Sequence, residues 1–286
     1  MEKQKLSSIL KIVSLASASL AAVLQTVAML VSYDARANYF LVWAPLPYIA
    51  VALTILAAVS GLLFAILGQK PKNTSPFSKG ILPSIPAALG MLVCTCLIFI
   101  FADGTLATVT AICLILAALY SVLCGTAVQK NHPSILCLLG FATVLAGALM
   151  NVLYYFDPTL EMNAPIKITV QTALLFAMIY YTAELRYLLE REKPRVYLAL
   201  SLMTIAASAL PAVSIPVAYT CGIITRVDCL AGAILTLGIA ITVALRLYTI
   251  FTAKADTDAE AEFDAEIKIT EESVAEKAEQ EEEEAE

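Results

Sequence analysis

The sequence predicts an all-α, polytopic transmembrane helical bundle of eight spans, followed by an acidic C-terminal tail. Composition is the first reason: of 286 residues, 60% are hydrophobic and only 15% charged, with a mean hydropathy of +0.82. An average soluble domain carries about 25% charged residues. The second reason is the length of the apolar blocks, since about 20 residues at 1.5 Å each cross a ~30 Å hydrocarbon core. The third is the lack of two-residue alternation that would mark strands. In lipid every backbone amide must be satisfied within its own segment, so such blocks form helices.

The spans are read as residues 8–32, 45–68, 81–101, 105–128, 134–156, 166–189, 196–219 and 229–252. The first follows Lys3 and Lys5 and contains Ala16-Ser17-Ala18, features shared with a cleavable signal. Its apolar run continues to Val31 and Lys11 interrupts its start, so it is read as an uncleaved span. Small residues let helices approach closely in lipid. They form a stripe of Ser14, Ala18, Ala21, Gln25, Ala28 and Ser32 on span one. The second span opens on Pro45 and Pro47, where proline costs little. Pro83 and Pro86 in the third and Pro211 and Pro216 in the seventh are candidate helix breaks.

Span four carries a stripe of Thr110, Cys113, Ala117, Ser121 and Cys124, and span five one of Gly140, Thr143, Gly147 and Asn151. The sixth span is the most polar. Lys167, Gln171, Met178 and Thr182 share one side of it, and Thr169, Tyr180, Glu184 and Tyr187 another. On span eight, Gly232, Thr236, Ala240 and Ala244 recur every four residues. Arg246 follows Gly238 and Thr242 at the same interval, which aims it into a packed seam. A charge at the membrane centre costs about 2.5–3.5 kcal/mol on insertion scales, and less near the interface. Glu184 and Arg246 lie at similar depth, so an ion pair is expected, with Arg186 a competing partner and independent snorkelling the alternative.

Orientation follows from the basic residues. With the N-terminus inside, the inner segments hold thirteen lysines and arginines, and the outer loops hold Arg36, Lys167 and Arg226 alone. The positive-inside rule then places both termini in the cytoplasm of a cell (inner or plasma) membrane. Tyr33, Tyr39, Phe40, Trp43, Tyr48, Tyr154, Tyr155 and Tyr219 fall where an outer aromatic belt is expected. The net charge of −6 combines +7 over residues 1–254 with −13 over residues 255–286. A basic transmembrane domain thus carries an acidic tail whose composition predicts disorder. A shift of 123 residues superposes spans one, two and four on five, six and eight, which raises the reading of two four-helix halves.

No reaction chemistry is legible. The single histidine, His132, sits in a short loop, and one histidine cannot build a two-histidine metal site. No Walker A loop, G-x-S-x-G elbow or G-x-G-x-x-G fingerprint occurs. The expectation is therefore no metal, no cofactor, no catalytic residue and no nucleic-acid partner. Asn73-Thr74-Ser75 matches a glycosylation acceptor but falls on the inner side. Seven cysteines form no ligand pattern; Cys221 and Cys229 flank an outer loop and are read either as a disulfide or as two free thiols. The candidate intramembrane polar set is Glu184, Arg186, Arg246, Gln25, Asn151 and Gln171. Spans one to eight lack a central acid of the kind proton-coupled carriers use. The leading expectation is a non-enzymatic accessory, scaffold or sensory membrane component, with a membrane-protein partner or a homo-oligomer as its associates. The alternative is a small-solute or lipid-like permease.

Overall fold

The computed structural model describes residues 2–67, 77, 80–124, 126, 131–157, 160–189 and 194–251. Among them are eight helices long and apolar enough to cross a membrane. They are α1 (Glu2–Ser32), α2 (Leu46–Leu67), α3 (Ile85–Phe101), α4 (Thr105–Leu123), α5 (Pro133–Phe156), α6 (Pro165–Leu188), α7 (Pro194–Thr220) and α8 (Val227–Phe251). The acidic tail at 255–286, Asn73 and the basic pair Lys70 and Lys72 lie outside the described residues. One feature was not anticipated: a two-residue antiparallel hairpin, β1 (Tyr33–Asp34) and β2 (Tyr39–Phe40), joins α1 to α2. It closes on Tyr33 and Phe40, whose rings meet edge to face at 5.5 Å, and turns at Asn38 with φ of 56°.

The proline pairs do not break their helices. Pro83 lies in the 3-10 turn Leu82–Ser84 and Pro86 in the first turn of α3, where no amide donor is needed. α7 runs unbroken through Pro211 and Pro216. It is the helix with the largest buried share among the described spans, so neighbouring helices surround most of it. The carbonyl of Leu210, just before the first proline, accepts from Ser214 Oγ at 2.7 Å.

The small-residue stripes largely set the packing. Every member of the α1 stripe, Ser14 to Ser32, is buried, and Ser14 Oγ donates to the Ala57 carbonyl of α2 at 2.8 Å. The α1–α2 pair leans on α7, α7 on α6, and α6, α5, α4 and α3 follow in sequence. α8 threads between them. Its Gly238 meets Gly90 of α3, its Gly232 meets Tyr154 of α5 and Val170 of α6, and Phe251 packs on Phe64 of α2 with ring centres 6.2 Å apart. The two halves are not built alike. α6 and α7 pack along a broad face, whereas the pair that corresponds under the 123-residue shift, α2 and α3, shares at most a marginal contact. Apolar residues such as Val31, Leu138 and Tyr248 face outward and supply a lipid-facing surface.

Candidate functional site

The two ends of α8 carry the charged centres of the molecule. At the end of the bundle where α1 begins, the proximal end, five helices converge on Arg246. α6 contributes Tyr180 and Glu184, one turn apart on its inward face, and both are fully buried. Glu184 Oε1 forms an ion pair with Arg246 Nη1. The same nitrogen reaches Tyr180 Oη at 3.4 Å, and Nη2 donates to Ser84 Oγ at the start of α3 at 2.9 Å. Tyr180 Oη also shares a hydrogen bond of 2.8 Å with Tyr197 Oη of α7. Cys124, at the end of α4, points its thiol at Glu184 Oε1 over 4.0 Å. Phe77 covers the guanidinium with its ring centre 5.0 Å away.

The backbone explains why α8 can bring a charge there. Ser84, Ala87 and Gly90 form one face of the α3 start, and Arg246, Thr242 and Gly238 run antiparallel to it. A Cβ on Gly238 would lie 2.5 Å from the Pro86 carbonyl oxygen and 3.2 Å from Gly90 Cα. The absence of side chains lets the helices touch. One turn on, Thr242 Oγ1 accepts the Ala87 amide at 2.9 Å, a donor that a helix start leaves unpaired. The next turn delivers Arg246 to Ser84.

A buried charge pair holds only if the surroundings supply further hydrogen bonds. Here they do so in part. Glu184 Oε2 and Arg246 Nε have no protein partner at hydrogen-bond geometry, and the hydroxyls of Tyr120, near Cys124, and Tyr181, near Ser121, make no hydrogen bond of ordinary geometry.

At the distal end, Arg226 in the α7–α8 connection bridges Asp157, just past α5, and Asp228, in the first turn of α8. Tyr154 Oη donates to the Asp228 carbonyl. Burial works against the Arg226 charge, but Asp228 and Asp157 outweigh it and hold the guanidinium protonated above its ordinary range. Lys167 is buried and donates to the carbonyls of Tyr155, Asp157 and Leu160 at 3.2, 3.4 and 3.3 Å, capping the end of α5. A cleft of about 380 Å³ opens beside this cluster. Its walls are Phe101, Tyr154 and Phe156, and its polar groups are Asp103, Asp157, Arg226 and Asp228.

The remaining sequence candidates lie elsewhere. Arg186 is exposed, and the partner of Glu184 is Arg246. Asn151 Nδ2 donates to the Gly147 carbonyl at 3.1 Å and Gln171 Nε2 to the Asn151 carbonyl at 3.3 Å, so both amides stitch α5 to itself and to α6. Gln25 is buried on α1, away from that seam, with Oε1 unpartnered. The disulfide alternative is not realised: Cys221 is an exposed free thiol in the turn after α7, and Cys229 is a buried one. Ser84, Tyr120, Tyr197 and the Arg226 cluster were not anticipated. Their only sequence signal was the Arg226–Asp228 spacing beside a span. No family model, curated protein or solved structure matches the chain.

Proposed function

We propose that the chain is a non-enzymatic sensory component of a cell membrane, with both termini cytoplasmic and the distal cleft facing outward. The observation that carries the reading is that one helix bears both charged centres. From Asp228 to Arg246, α8 spans about 27 Å at 1.5 Å per residue. It links an open cleft at one end to a buried ion-paired junction at the other, and in sequence it precedes the acidic tail. Cleft volumes of about 300–1,000 Å³ hold small molecules. Three carboxylates against Arg226, between aromatic walls, favour a small organic cation. A solute there would bear on Arg226 and Asp228 and so on the position of α8.

The test is a melting-temperature screen of the full chain in lipid nanodiscs against small ammonium compounds, from tetramethylammonium to aromatic amines. The reading expects a concentration-dependent upward shift that Asp103→Asn abolishes. No shift with any compound, or a shift that survives Asp103→Asn, overturns it.

A permease is the second reading. What favours it is a small gap in mid-bundle, lined in part by α3, α5 and α8, which also wall the cleft. Uptake of the stabilising compound into proteoliposomes would select this reading over the first.

A further inference from the structure

Deep between α3, α4, α5, α6 and α8 lies a gap of about 10 Å³, lined by Met91, Leu114, Thr143, Gly147, Tyr181 and Leu235 among others. Thr143 stands ten residues into α5, about 15 Å along it at 1.5 Å per residue, so the gap sits near the middle of the span. Most hydroxyls on these helices turn back on their own backbone. Thr95, Thr110, Ser121 and Thr182 each donate to the carbonyl four residues earlier. Thr143 does not. Its Oγ1 is buried without a partner, and so is Tyr181 Oη, on the facing helix α6. Ser121, beside Tyr181, has its own proton committed to the Ala117 carbonyl at 3.0 Å. Two buried hydroxyls without a hydrogen bond of ordinary geometry thus line one gap.

An unpaired buried hydroxyl is costly, and a small cavity with polar partners holds an ordered water. We propose that the gap is a binding site for a single water molecule, hydrogen-bonded by Thr143 Oγ1 and Tyr181 Oη. The walls are uncharged, thioether and aliphatic, which excludes an ion. The volume excludes anything larger. Gly147 keeps the space, because Met178 packs over it: a Cβ there would lie 2.6 Å from Met178 Cγ. The bound water ties α5 to α6 at mid-membrane through a bridge that neither side chain makes alone. The site stands whether the cleft senses a solute or the chain transports one.

Two near-isosteric substitutions test it by sign. Removing one partner of a satisfied buried group is destabilising, while removing a hydroxyl that was never satisfied is stabilising. With the water present, Thr143→Val and Tyr181→Phe each lower the melting temperature of the purified chain by a few degrees, and the double variant recovers most of the loss. A dry gap gives the reverse, each single variant raising the melting temperature and the two effects adding. A map at a resolution that shows water provides the second readout. An isolated peak within hydrogen-bond distance of both oxygens is expected. An empty gap, or density larger than a water, overturns the proposal.

Discussion

Glu184 and Arg246 show how a costly residue pair is tolerated inside a membrane bundle. Neither side chain reaches solvent: Arg246 is also held by Ser84 from α3 and by Tyr180 from α6, which hydrogen-bonds Tyr197 of α7, while Glu184 Oε1 faces the Cys124 thiol of α4. Losing one partner of a buried pair leaves an uncompensated charge and costs about 3–5 kcal/mol, whereas replacing both by apolar residues is often neutral. Arg246→Met is therefore expected to destabilise the chain by that amount in reversible unfolding from micelles. Glu184→Leu combined with Arg246→Met should recover most of the loss. Reversal of both charges should likewise rescue the expression lost on reversing one. A double variant no better than the worse single variant would show that the two charges act separately. This pair was legible in the sequence because depth and sign sufficed to match it. Its hydrogen-bonding shell was not, because Ser84, Tyr197 and Cys124 come from chain segments whose inward angle depends on how each helix is rotated.

Among the elements, α8 and the start of α3 touch backbone to backbone at Gly238 and Gly90, and the four-residue rule used to read such seams has a built-in error. Four residues turn a helix through 400°, so each step drifts by about 40°. Over the three steps from Gly232 to Ala244 the drift reaches about 120°. The stripe accordingly leaves its seam: Gly232 and Thr236 are buried, and Ala244 is exposed. The shorter series Gly238, Thr242 and Arg246 stays inside. On α1 the spacing alternates between three and four residues, tracks the true period, and every member is buried. Backbone contact at Gly238 makes that position intolerant of bulk. Overpacking costs about 1–3 kcal/mol in a core with room to relax, and here the neighbour is backbone. Gly238→Leu is expected to abolish the monodisperse detergent-extracted peak, while Ile241→Ala on the lipid-facing side leaves it unchanged. Equal behaviour of the two variants would remove the α3–α8 seam from the account. The proline pairs were misjudged for a related reason: a proline marks a missing donor, and whether the helix breaks depends on neighbours that no local reading contains.

For the whole molecule, the number and extent of the spans were readable because they depend on length and hydropathy alone, which lipid enforces residue by residue. Which helix lies at the centre was not. α8 is no more apolar than α2 or α4, yet it is the more buried, since glycines at 232 and 238 admit it between its neighbours. Under the proposed function, a helix with a charged junction at each end acts as a mechanical link between the two. Cys124 provides a probe of it: the thiol is buried against Glu184 at the proximal end, about the length of α8 from Arg226. The decisive measurement is the alkylation rate of Cys124, as the sole thiol of the full chain in nanodiscs, with and without Arg226→Ala. The account predicts that loosening the distal cluster speeds alkylation several-fold. An unchanged rate, in a variant whose lowered melting temperature proves the distal cluster disrupted, would contradict it.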